Sequence, residues 1–261
     1  MTRLRSAGAV WTLAAFTFRE ALRERLLRAM VGMIGIGWFF SLFLNELLLT
    51  DQEASRAAVL AFFFRLGSVF LVSILVSFAV ARDLQNRGLD MMLAMPFPRG
   101  VVFLGKLGGF LLAALLLAGV CGVALLPLAR PEPVLWWSLV LACELMIMTL
   151  LAQVVTMAMQ QAPLALTLTA GFYLLARSMS AVLLIAGQTR EANPDWSTQA
   201  IQWLLQGIAG ALPGLDRFTV TGWLVQGGGG FQELGPILGE TGIYLLLLAG
   251  IGLYDLYQRE F

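Results

Sequence analysis

Six stretches of this chain run for about twenty residues or more with almost no charge: 29–49, 57–81, 101–128, 134–159, 163–186 and 237–256. A bilayer core takes about 20 apolar residues as a helix, so each stretch is long enough to cross one. Composition closes off the soluble alternative. The 261 residues are 59% hydrophobic and 13% charged, against about 25% charged in soluble domains. The expectation is an all-α polytopic membrane protein with six transmembrane helices, built as a single transmembrane domain over 1–261. The first apolar run follows about 28 residues, lacks a small-x-small cleavage pattern and is long enough to span, so it reads as a span and not as a cleaved signal.

Several function classes fall away. The net charge of +1 gives no global field for nucleic acid. The chain has no histidine, which removes His metal ligands, His haem ligation and the usual general base near neutral pH. Cys121 and Cys143 both sit inside apolar runs and form no CxxC pattern, so both read as inert buried thiols.

Basic residues set the orientation. Arg3, Arg5, Arg19, Arg23, Arg25 and Arg28 precede the first run, and Arg82, Arg87, Arg99 and Lys106 surround the second-to-third connection. The other side holds Arg56, Arg130, Arg190 and Arg217, diluted by seven acids from Asp51 to Glu233. The positive-inside rule then puts both termini in the cytoplasm.

Three connecting parts carry pattern. In 11–28, Trp11, Ala14, Ala15, Phe18, Leu22 and Leu26 follow a helical period while Arg19, Glu20, Arg23 and Glu24 take the other face. This predicts an amphipathic helix in the interface plane; a plain basic anchor is the simpler alternative. The second is "ARDLQNRGLDMMLAMPFPRGVVFLGK", 81–106. Gly88 breaks the incoming helix, Pro96 and Pro98 disfavour its continuation, and a short helix over 89–95 is expected between them. Its exposed Leu and Met side chains, rimmed by charge, mark a partner site. The third is 187–236, where Trp196, Ala200, Trp203, Leu204, Ile208, Ala211 and Leu212 recur at helical spacing until Pro213-Gly214 stops them. A loosely ordered outer loop is the alternative there.

Two motifs need sorting. Gly100–Leu107, "GVVFLGKL", nearly matches the phosphate-binding loop, but Leu107 stands where a hydroxyl is required and bulky apolar residues fill the variable positions. Gly105 and Gly109 instead form a GxxxG that permits close helix packing.

Polar residues inside the runs are Arg65, Glu144, Gln153, Arg177 and Glu240. Such groups are costly in lipid and face a partner or a wet cavity, either as working residues of a path or as structural ion pairs. At 1.5 Å per residue, Glu144 lies roughly 15 Å from the outer end of its span, Arg177 roughly 14 Å, Arg65 roughly 12 Å and Glu240 roughly 5 Å. Glu144 is therefore expected to pair with Arg177, lining the outer part of the path, and a charge swap of the two should restore part of what a single substitution removes.

The Arg/Glu-rich helix before the first span, and a second-to-third loop with Arg82-Asp83, Gly88, a short Leu-rich segment, Pro96, Arg99 and Gly105-Lys106, resemble the ABC-2 type transporter permeases. The permeases of nitrous oxide reductase maturation and of haem export in cytochrome c maturation are the nearest flavours. The resemblance implies an exporter's membrane-spanning subunit in the plasma (inner) membrane, a second permease copy or paralogue beside it, and short outer-leaflet helices before the last span. It implies a separate ABC ATPase that binds ATP and Mg, with no cofactor on this chain and no catalysis by it. It places the ATPase contact on the elbow helix (1–28), at Arg19, Glu20 and Arg23, and on the coupling loop (82–100), at Arg87, Leu89, Asp90, Leu93, Met95, Pro96 and Arg99. A secondary transporter or channel needing no ATPase is the alternative; inverted repeats with broken helices would favour it.

Overall fold

The computed structural model describes residues 2–47, 52–85, 99–192, 196–218, 221–226 and 230–258. All regular structure among them is helical. Helix α1 (Thr2–Ala21) passes through a π-helical turn, Leu22–Leu26, directly into α2 (Leu27–Leu47). Then come α3 (Gln52–Gln85), α4 (Arg99–Leu125), α5 (Pro131–Met159) and α6 (Ala162–Ala192). Two shorter helices, α7 (Trp196–Ala211) and α8 (Thr221–Gln226), precede α9 (Phe231–Gln258).

Five helices are long and apolar enough to cross a membrane: Ser55–Gln85, Gly100–Leu125, Pro131–Met159, Ala162–Ala186 and Leu234–Gln258. They coincide with the second to sixth expected spans to within a few residues. The architecture is that of a helical multi-pass membrane protein. The first expected span, 29–49, is helical to Leu47, and its apolar part among the described residues, Leu27–Phe43, is shorter than the other five.

Helix α5 is the axis of the molecule. Of its apolar window 83% is buried against protein, against 22% for α6 and 17% for α9. It packs against α3, α4, α6, α8 and α9. An antiparallel hairpin joins α4 to α5 through a short turn that ends at Pro131, where a missing N–H leaves no bond unmade. The α5–α6 turn is tighter still: Gln160 adopts the left-handed conformation (φ 58°) and its N–H bonds the Thr156 carbonyl. The Thr hydroxyls of α5 bond back to carbonyls four residues earlier, Thr149 to Leu145 and Thr156 to Ala152, so they sit in the core without an unmet donor.

The π turn has a definite job. The buried positions of α1 are Ala14, Thr17 and Ala21, and those of α2 are Met30, Met33, Gly37 and Ser41, with Leu26 between. Steps of three and four hold everywhere except from Ala21 to Leu26, which is five. A regular α-helix would have carried the stripe on through Glu24 or Arg25 to Arg28. The extra residue in the π turn hands it to Leu26 instead and leaves Arg23 and Arg28 exposed.

The stripe of α1 meets α4. A Cβ built on Gly109 would stand 2.5 Å from the Thr17 Cβ and 2.7 Å from the Ala14 carbonyl, and one on Gly105 would stand 2.7 Å from Leu13. The expected close packing at this GxxxG is therefore made, and its partner is the N-terminal helix. This alters the reading of α1. Ala14 turns to protein as its apolar face requires, but so does Thr17, whereas Trp11 is 68% exposed and forms part of the outer surface.

Candidate functional site

Two polar sites stand out, one inside the bundle and one at the mouth of the α3–α4 connection. The inner one begins with Glu144 at the middle of α5, fully buried. Its Oε2 faces the Arg65 Nε of α3 at 3.3 Å, and its Oε1 faces the Arg177 Nη1 of α6 at 3.6 Å. The Tyr173 hydroxyl, one helical turn before Arg177, donates to the same Oε1 at 3.1 Å. Three helices thus converge on one carboxylate. Arg65, only 1% exposed, also donates through Nη1 to the backbone carbonyl of Phe218, and its guanidinium lies 5.7 Å from the Trp137 ring centroid.

Two guanidiniums share one carboxylate, so the cluster carries an excess positive charge. The Phe218 carbonyl and the Trp137 ring spread part of it. Arg177 is 18% exposed and gives the cluster its one partly open side. The expected Glu144–Arg177 pair is present, but it is shared. The swap Glu144→Arg with Arg177→Glu would set a guanidinium against Arg65, so the restoration expected from the sequence does not follow. The depth estimate separated Arg65 from Glu144 by about 3 Å, well within the reach of an arginine side chain. Tyr173 was missed, although its i−4 spacing to Arg177 puts both on one face. The enclosed position of Glu144 and Arg65 within one chain fits a structural lock between helices better than the lining of an open path.

Glu240 does not join this cluster. Its Oε1 accepts the Gly214 backbone N–H. Together with the Phe218 carbonyl on Arg65, this anchors the turn after α7 at two points, with Leu215 and Phe218 fully buried beneath it. Helix α7 ends at Ala211, ahead of Pro213-Gly214 as expected, and presents Trp196 and Trp203 outward, 81% and 77% exposed. Gln153 is fully buried on α5, and neither end of its amide has a hydrogen-bond partner among the described residues.

The second site braces the two stems of the 86–98 connection. At the end of α3, Arg82 donates to Glu20 of α1 at 2.9 Å. Next to it, Asp83 accepts from the Lys106 Nζ of α4 at 2.6 Å. Lys106 is only 4% exposed, so removing that carboxylate would leave a buried ammonium without its partner. Glu20 is thus engaged within the chain, in a pair whose two side chains are each 41% exposed, and Arg19 and Arg23 are exposed as well. Arg99 opens α4. Arg87, Leu89, Asp90, Leu93, Met95 and Pro96, with the helix expected over 89–95, lie outside the described residues.

Comparison of the sequence with family models gives no match, and comparison with curated proteins gives none either.

Proposed function

We propose that this chain is the membrane-spanning permease subunit of an ABC exporter, with six spans, both termini cytoplasmic, and the 86–98 connection as the contact for a separate ATPase. The observation that supports this most is the double brace at the stems of that connection. Glu20–Arg82 ties α1 to α3, and Asp83–Lys106 ties α3 to α4. A push on the connection then reaches three helices together, which is what coupling to an external motor requires. The buried Glu144 cluster sits further along the same α3 and joins it to α5 and α6. Two copies would form the path.

The test is co-purification. Leu89→Asp with Leu93→Asp should abolish retention of a co-expressed ATPase while the permease still inserts in the membrane. An ATPase that stays bound at full stoichiometry overturns the docking assignment. Transport by the purified chain alone, driven by an ion gradient, would establish a secondary transporter instead.

A further inference from the structure

The Glu144 cluster does not balance its charge. Arg65 and Arg177 bring two guanidiniums, and among the described residues Glu144 is the one carboxylate within ion-pair distance of either. The excess is a single positive charge, held about 15 Å below the outer end of a span. An uncompensated charge at such depth is among the costliest things a membrane protein carries, and a counter-charge is what normally meets it.

The hydrogen bonds are unbalanced in the same direction. Arg65 turns its Nε to the carboxylate and donates through Nη1 to the Phe218 carbonyl, but its Nη2 has no partner among the described residues. Trp137 lies beside the same guanidinium and is fully buried, and its Nε1 has none either. Both unmet groups can only donate. What completes them is an acceptor, and what completes the charge is one negative unit. Water would meet the donors and leave the charge. Arg177, 18% exposed, opens the cluster on the α6 side. A guanidinium at this depth draws water to itself, which gives a small hydrated ion a way in.

We propose that the cluster binds one small monovalent anion, such as chloride, on the Arg65 guanidinium, with Arg177 supplying the second positive charge. A divalent anion would overshoot the balance, and a lipid phosphate stays at the membrane surface, short of the depth of Glu144. The charge balance is the same whether or not the chain carries cargo, so the site stands apart from the transport reading.

Thermal midpoints of the full chain in detergent test it, with chloride replacing gluconate at constant pH and ionic strength. The wild-type midpoint should rise by several degrees, since an ion that binds only the folded state stabilises it. Arg177→Gln leaves one guanidinium for one carboxylate and should lose the rise. Arg177→Lys keeps the charge and should keep most of it. Glu144→Gln leaves both guanidiniums bare, so its rise should be larger and reach its half-point at several-fold less chloride. Arg130→Gln, exposed and outside the cluster, should respond as the wild type does. If Glu144→Gln fails to fold, the two Arg177 variants decide. A wild-type midpoint indifferent to chloride overturns the proposal and leaves water on the Arg65 donors. A rise unchanged in Arg177→Gln, or no larger in Glu144→Gln, also overturns it, since either marks a general salt effect.

Discussion

Removing the charge of Glu144 leaves two guanidiniums, those of Arg65 and Arg177, without a carboxylate in an apolar interior. Breaking a buried pair from one side typically costs about 3–5 kcal/mol. Glu144→Gln should therefore lower the thermal midpoint of the detergent-solubilised protein more than Arg177→Gln does. Losing Arg177 still leaves Glu144 paired with Arg65, and Arg177 is itself partly open. Equal effects of the two substitutions would show that Arg65 does not share the carboxylate. The charge swap at 144 and 177 should be no better than Glu144→Gln, which inverts the expectation drawn from depth alone. Depth arithmetic could find a partner for Glu144 because charges at one level in lipid seek each other. It could not find the Phe218 carbonyl, since a main-chain acceptor in the turn after α7 leaves no mark in the identity of the residue. Nor could it see that Glu240 serves a backbone N–H near its own end of the helix.

At the level of elements, the N-terminal helix keeps most of its expected face, with Ala14 and Leu26 buried and Phe18 and Leu22 against the core, but gains Thr17 and Ala21 and loses Trp11. A helical wheel drawn straight through 11–28 assumes 100° per residue throughout, and the π turn at Leu22–Leu26 breaks that assumption. Small residues are also poor indicators of burial on a hydropathy scale. Ala14 and Thr17 face α4 because Gly105 and Gly109 let the helix come close, while the larger Trp11 is left outside. Gly109→Ala should consequently separate α1 from α4 and destabilise the protein by about 1–3 kcal/mol, as overpacking does. Gly119→Ala on the same helix, where an added Cβ meets nothing within 4 Å, should be neutral or slightly stabilising through helix propensity. Thermal midpoints of the two variants decide the matter; matching values would mean that the α1–α4 contact does not set stability. The five long helices themselves were legible to within a few residues, since lipid-length apolar runs have few other ways to fold.

Over the whole molecule, the arrangement of α5 gives the clearest test of topology. Its 29 residues span about 43 Å by helical rise, more than a bilayer core. Arg130 before it and Gln161 after it are both exposed. Gln161 lines one crevice with Arg82 and Gln85 of α3, so it shares the side of the braced connection. A cysteine placed at Gln161 should be modified by an impermeant thiol reagent from the cytoplasmic face only, and one at Arg130 from the opposite face only. Both native cysteines are buried and give little background. Modification of both sites from one face would remove the transmembrane placement of α5. The central position of this helix was not readable from hydropathy, because its run is no more apolar than those of α3 and α4. What distinguishes α5 is how little of it is left for lipid, and that depends on neighbours brought together from distant parts of the chain.

The tie between Arg65 and the turn after α7 rests on a peptide oxygen at Phe218. Every amino acid has that oxygen, so the bond itself asks nothing of the side chain that Phe218 buries and depends on the length of the turn. The turn could change at Asp216 and Arg217, whose side chains are not buried, and keep the same clasp, provided no residue is gained or lost between Gly214, held by Glu240, and Phe218. A single-residue deletion in that interval would do what few substitutions can, moving the oxygen out of reach while leaving the composition of the turn almost untouched.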